Sequence, residues 1–320
     1  MTFIQNIPPL ATLPYAYRIR SLFQEPLGNG HGVRYTVELY HELAQLRVTF
    51  TRSQPDIRLS VNKLVSIRWK LPVLSSNGAI HITRLALIER PLWEFNPFDT
   101  VPPSWVLDRQ LVTSARNMLD RLPSNLQHLF CAVMWDGFRF RRFCEAPSSL
   151  NDHHAYRNGN LRHTIETAEN ALAIAKSFPQ ANIGICLAAA LLHDVGKADE
   201  YVSCGPDYWT MSDRGKLVGH RNTVQEWISA ALSTNRISLP ESAYYSLIHA
   251  LTAAPNAEWL GIRNPVTPEA MILSFADRLS AEKDMTLALA SKNGGWGNKH
   301  PHRKGKPFTL PAETIISSGE

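Results

Sequence analysis

Between residues 15 and 90 apolar and polar positions alternate in short runs. The runs at 16–23, 33–39, 46–51, 63–69 and 79–88 are rich in β-branched and aromatic residues, and Gly, Pro, Asn and Ser clusters separate several of them. Five such strands in roughly 75 residues suit a small closed barrel of the OB type. A loose Pro-containing lead over 1–14 precedes them. The stretch 91–103, which opens Pro91-Leu92-Trp93-Glu94-Phe95-Asn96-Pro97-Phe98, carries prolines that oppose regular structure and marks a linker. Beyond it the period becomes helical, at 104–122, 126–135, 161–177, 184–192, 220–232, 244–251 and 270–279. The reading is an α+β chain. An N-terminal small β-barrel (OB-like) over 1–95 is followed by an all-α domain over 96–290 and a basic Gly/Pro-rich tail over 291–320.

The most informative helical run is Gly184-Ile185-Cys186-Leu187-Ala188-Ala189-Ala190-Leu191-Leu192, free of charge and ending in His193-Asp194-Val195-Gly196-Lys197. A carboxylate beside an imidazole at the end of a buried helix is costly unless a cation or hydrogen-bonding partner compensates it. A divalent metal does so, and His and Asp are natural ligands. Upstream, His163 lies on an amphipathic helix. Downstream, Asp277 interrupts the apolar run Ala270-Met271-Ile272-Leu273-Ser274-Phe275-Ala276.

Composition narrows the class. With 44% hydrophobic and 19% charged residues the chain is globular. No apolar run reaches the ~20 residues of a bilayer span, and the N-terminus lacks signal-peptide character, so a cytoplasmic protein without a membrane partner is expected. The four cysteines form no C-x-x-C pair, which disfavours a thiolate zinc site and implies no disulfide. A net charge of +5 is compatible with a polyanionic partner, and a homo-oligomer is compatible with the composition.

Further residues invite chemistry. His153 and His154 lead into the His163 helix and read either as a site rim that contacts substrate or as an exposed loop. Phe138-Arg139-Phe140-Arg141-Arg142-Phe143 reads either as a groove for phosphates, with Arg141 as a contact, or as an element with one apolar and one solvated face. Arg162, beside His163, is a further phosphate candidate. His220 opens a helix, where it can ligate a second ion, while an anion can bind at such a helix start. His249, on a largely apolar helix, is either a core residue or a ligand. On the barrel, Tyr35, Arg68, Trp69 and Arg84 are either strand-binding residues or core aromatics and solvated cations.

His163, then His193-Asp194, then Asp277 resembles the ligand set of the HD-domain metallohydrolases. The order of parts resembles the YhaM-type 3′-to-5′ exoribonucleases, which join an OB-type domain to an HD domain. The matching residues are Ala146-Pro147, His153-His154-Ala155-Tyr156, His163-Thr164, Leu192 through Lys197, Gly215 through His220, Pro268-Glu269-Ala270 and Asp277. Over the barrel the similarity is architectural only. The resemblance implies metal-dependent removal of nucleotides from single-stranded RNA or DNA, with Mn²⁺ most favoured and Mg²⁺, Fe²⁺ or Ni²⁺ as alternatives. It implies ligation by His163, His193, Asp194 and Asp277. Lys197 would then reach a phosphate oxygen, and His220 and His249 would serve a second ion or act as phosphate donors or leaving-group acid. Two departures stand out. Thr252-Ala253-Ala254-Pro255-Asn256 occupies the place of a usual His-His-Gly, and Asn158-Gly159-Asn160 replaces paired glycines. The His-His-Ala segment also resembles MobH-type relaxases of conjugative elements. A degenerate nucleic-acid-binding module and a small-molecule nucleotide phosphohydrolase are the other classes.

Overall fold

The computed structural model describes residues 12–28, 31–71, 73–205 and 207–311. Most of the predicted lead, and the last nine positions of the predicted tail, lie outside the described residues. Strands β1 (Tyr17–Pro26), β2 (Val33–His41), β3 (Ala44–Arg52), β4 (Leu64–Trp69), β5 (Ser75–Ser76) and β6 (Ala79–Leu87) form one sheet. β1 pairs antiparallel with β2 and β4, β2 with β3, and β4 with β6. A parallel pairing of β3 with β6 closes the sheet into a ring.

Alternation explains the ring. Tyr35, Val37 and Leu39 of β2 point inward and stand opposite Phe50, Val48 and Leu46 of β3, with the Tyr35 and Phe50 rings stacked at 4.7 Å. Tyr35 is therefore core rather than a strand-binding residue. Its hydroxyl accepts the Asp56 N–H at 2.7 Å. Arg68 and Arg84 are exposed and face each other across the β4–β6 pair.

The helical part contains α1 (Arg109–Asp120), α2 (Ser124–Val133), α3 (Gly137–Glu145), α4 (Gly159–Ala175), α5 (Ile183–Leu192), α6 (Lys197–Glu200), α7 (Asp213–Leu217), α8 (Gly219–Asn235), α9 (Glu241–Thr252) and α10 (Pro268–Leu289). A hairpin, β7 (Tyr201–Gly205) and β8 (Tyr208–Met211), leaves the body between α6 and α7. α5 is buried from Ile185 to Leu192 and packs against α2, α4, α9 and α10, so it needs apolar residues on every side. Asn182 caps it by accepting the Ile185 N–H at 3.1 Å.

Four segments differ in detail from the sequence reading. α1 starts at Arg109 rather than 104, because Asp108 accepts the N–H groups of Gln110 and Leu111 and so fixes the first turn. The expected linker is packed. Pro97–Thr100 makes one 3₁₀ turn capped by Asn96, and Phe98, Val101 and Trp105 join the helical core. The Phe/Arg stretch is helix α3, with Phe140 and Phe143 buried, Arg139 over the Trp227 ring and Arg142 paired with Asp199. This is the two-faced element, not a phosphate groove. The predicted tail is partly ordered. β9 (Gly295–Trp296) and β10 (Phe308–Thr309) pair, with the Trp296 and Phe308 rings 5.2 Å apart.

Ring and helices keep separate hydrophobic cores. They meet at Arg18 of β1, which is buried. Its guanidinium donates to the Asn62 carbonyl at 2.7 Å and to the Thr100 carbonyl and hydroxyl at 3.2 and 3.1 Å, between the Trp105 and Phe140 rings.

Candidate metal centre

Two helices and one turn carry the centre. α4 supplies His163, the turn after α5 supplies His193 and Asp194, and α10 supplies Asp277. His163 Nε2 lies 3.3 Å from His193 Nε2, 3.5 Å from an Asp194 oxygen and 3.0 Å from an Asp277 oxygen. His193 Nε2 lies 3.4 Å from Asp194 and 3.9 Å from Asp277. The sequence thus places its four first candidates around one point.

The opposite ring nitrogens decide what that point can hold. His193 Nδ1 is 2.7 Å from the Ala190 carbonyl, which can only accept, so Nδ1 carries the proton. His163 Nδ1 is 3.0 Å from Ser280 Oγ, and that hydroxyl donates onward to Glu166 at 3.2 Å. Ser280 therefore accepts from His163 Nδ1–H. Both Nε2 atoms then present lone pairs to each other and to two carboxylates. Four electron-rich atoms converging in a buried place fit a divalent cation, and the tethered Nδ1 atoms are the usual outer partners of metal-binding imidazoles.

The charges of the cluster act strongly on one another. Burial pushes His163 down, against Asp277 and Asp194 which raise it. For His193 burial also lowers, but the Asp194 and Asp277 carboxylates prevail and the imidazole is raised. Asp194 is held well below the ordinary carboxylate range, because His193, Lys197 and His220 outweigh the opposing effect of burial. Asp277 is lowered too, by His163 and His193 against burial.

A cavity of about 280 Å³ opens beside the cluster, and His153, Lys197, His220, Arg221, Ala253 and Ala254 stand in its wall. Lys197 is buried and donates to Asp194 at 2.5 Å and to Ser148 at 3.2 Å. His220 Nδ1 donates to Glu200 at 2.6 Å, which leaves Nε2 3.4 Å from the other Asp194 oxygen. Gly196 permits this approach: a Cβ there would stand 2.3 Å from the His220 carbonyl oxygen. His153 Nε2 is 3.3 Å from Ser148 Oγ, and burial, then His163 and Lys197, bring its imidazole down to about 4. His154 is buried with its ring against His163, its backbone N–H donating to Asp284 at 2.6 Å.

Other candidates lie elsewhere. His249 Nε2 accepts the Val266 N–H at 3.1 Å, away from the cluster. Arg162 pairs with Asp108 at 2.6 Å. Arg141 pairs with Glu145 at 2.9 Å and borders a small cavity at the junction with the ring, next to Arg18 and Asn62. Sequence reasoning passed over Glu200, Ser280, Glu166 and Arg221. The altered glycines also find an account. Asn158 takes the left-handed conformation, φ 68°, and donates to the Trp105 and Cys144 carbonyls, while Asn160 donates to the Asp194 carbonyl at 3.3 Å.

Residues 160–282 match the HD domain family, and this helical segment is an HD domain. The chain is similar to the 3′-5′ exoribonuclease YhaM of Geobacillus sp. (strain WCH70), at 30% identity over 145 residues, which cover 45% of this chain and 44% of that protein. The chain thus spans less than half the length of this curated relative. No solved structure matches it.

Proposed function

We propose that the chain is a divalent-metal-dependent phosphodiester hydrolase that removes nucleotides from the 3′ end of single-stranded RNA or DNA. The observation that carries this reading is the convergence of two Nε2 lone pairs and two carboxylates beside a cavity walled by Lys197, His220 and Arg221. That the YhaM relative is a 3′-5′ exoribonuclease supports the polymer and the polarity.

His163, His193, Asp194 and Asp277 would hold the ion, Mn²⁺ by preference, with Mg²⁺, Fe²⁺ or Ni²⁺ as alternatives. When bound, the metal supplies a Lewis acid for a phosphate oxygen and lowers the pKa of a bound water. The chain's own groups do the rest. Lys197 and Arg221 offer positive charge to a phosphate at the cavity wall. His220 is oriented by Glu200 and can carry the proton needed by the departing 3′-oxygen. Ala253 and Ala254 bring no ligand to their part of the wall, which fits one ion in preference to two. The β-ring adds a cleft of about 470 Å³ between β2, β3 and β6, bordered by Arg34, Arg47, Lys70 and His81, as a path for the strand.

The test is digestion of oligonucleotides labelled at the 3′ or the 5′ end, in Mn²⁺. Stepwise shortening from the 3′ end supports the proposal. A site-specific nick in supercoiled DNA with the protein left attached would point to a relaxase instead. Binding without turnover, or consumption of mononucleotides alone, would remove it. Gly196→Ala supplies a finer check. Its Cβ would displace the His220 backbone, so kcat is expected to fall by about 10²-fold, near the lower end of what a general acid contributes, with little change in KM. Unchanged kcat in a folded variant would exclude His220 from the reaction.

A further inference from the structure

We infer that Asp152, His300 and His302 form a second metal-binding site, separate from the HD centre, that clips the C-terminal segment to the loop in front of His153. One ligand atom from each residue lies within 4.8 Å of the other two. His302 Nδ1 is 2.6 Å from an Asp152 oxygen, and His300 Nε2 faces the Asn151 carbonyl at 3.3 Å. Two imidazole nitrogens, a carboxylate and a backbone oxygen therefore meet at one point on the surface.

Beyond the His302–Asp152 hydrogen bond, contact between the half-buried His300 and the exposed His302 does little to explain the meeting. Their ring centroids are 5.4 Å apart and edge-on, and two imidazoles gain little from one another in water. The chain nevertheless brings them there deliberately. After α10 it turns back, with the Asn298 N–H donating to the Leu289 carbonyl at 2.8 Å and the Gly297 N–H to the Pro307 carbonyl at 2.7 Å. Arg303 then reaches Thr286 and Glu282 on α10, both at 3.0 Å. Pro301 stiffens the backbone between the two histidines, so both side chains project to the 151–152 loop at low entropic cost.

Ion binding would move the His302 proton from Nδ1 to Nε2, exchanging its 2.6 Å hydrogen bond to Asp152 for a shared ion, and the His300 proton from Nε2 to Nδ1. His300 would give up two long hydrogen bonds, each 3.3 Å, to Asn151 and from the His302 N–H. Those are weak contacts at an exposed place, and ligation replaces them. A donor set of two imidazoles and a carboxylate favours Zn²⁺, Ni²⁺ or Cu²⁺ over Mg²⁺ or Mn²⁺. The clip differs from the HD centre in carrying one carboxylate instead of two and in lying at the surface. Its effect would be local. Asn151 and Asp152 directly precede His153, in the cavity wall, so a bound ion ties that wall to the segment following α10.

Zinc titration of the full chain tests the site by counting ions bound. Wild type is expected to bind one more Zn²⁺ per chain than His302→Ala or Asp152→Asn. The His302 and Asp152 side chains are 62% and 39% exposed, so these variants should fold. Zinc should also slow tryptic cleavage at Lys299, Arg303 and Lys304 in wild type and in His163→Ala, but not in His302→Ala. Equal zinc binding by wild type and His302→Ala, or tail cleavage indifferent to zinc, would overturn the inference. His163→Ala reports on the HD centre independently, so failure of one site is distinguishable from failure of the other.

Discussion

His163→Ala is expected to abolish metal-dependent turnover and to lower the stability that added Mn²⁺ confers. His163 stands at the middle of the cluster, within 3.5 Å of His193, Asp194 and Asp277. Its loss removes one of four donors and leaves two carboxylates facing His193 alone. The loss of activity should exceed the roughly 10- to 100-fold that removal of an outer partner costs. Ser280→Ala provides that lesser case, because Ser280 only tethers His163 Nδ1 and passes the hydrogen bond to Glu166. It should lie within the 10- to 100-fold range and be offset in part by raised Mn²⁺. The measurement is a Mn²⁺ titration of both activity and melting temperature. An ion present at about 100 times its dissociation constant stabilises wild type by about 2.7 kcal/mol. A His163→Ala chain that keeps that increment would show that the cluster is not the metal centre.

The contrast between His163 and Ser280 also shows what can be read from a sequence. His193-Asp194 is conspicuous because a charge-free helix ends in it, and Asp277 because it interrupts an apolar run. Ser280 lies one turn beyond Asp277 and Glu166 one turn beyond His163, and neither residue type is unusual in a helix. Their roles arise only from the packing of α4 on α10. Rotational phase explains the opposite error. Arg162 adjoins His163, but successive helical residues point about 100° apart, so it reaches Asp108 instead of the cavity. Arg141 finds Glu145 one turn on. In the ring the period of two was informative enough to have placed Tyr35 inside, since Tyr35, Val37 and Leu39 share one face. The closing β3–β6 pair had no local signal, because parallel partners far apart in sequence leave no turn between them to recognise.

Arg18→Ala is expected to destabilise the protein by about 3–5 kcal/mol, through a side-chain-sized cavity and oxygens left without a donor. Arg18 is a buried cation with no carboxylate in ion-pair contact among the described residues. Burial lowers it to about 10, which still leaves it charged at neutral pH. Its planar fork satisfies Asn62 on the ring side and Thr100 on the helical side, and its faces lie on Trp105 and Phe140. One side chain therefore reaches both hydrophobic cores, beside the bonds from Glu42 N–H to Asp99 and from Trp135 to Ile88 that also join ring and helices. A lysine ammonium cannot span both groups, so Arg18→Lys should recover only part of the loss. The Arg109–Glu42 pair also links helix α1 to the ring, but Arg109 is only half-buried and Glu42 is exposed, and Glu42→Ala should cost under about 1 kcal/mol. Chemical denaturation followed by ring and helix signals separately decides the matter. Wild type should unfold in one transition, whereas Arg18→Ala should show the ring signal lost at lower denaturant than the helical one. Coincident, unshifted transitions in Arg18→Ala would mean that the two cores are coupled elsewhere. Uncoupling should also reach the chemistry. If the ring guides the strand, digestion of long substrates in Arg18→Ala should slow more than that of oligonucleotides too short to reach it.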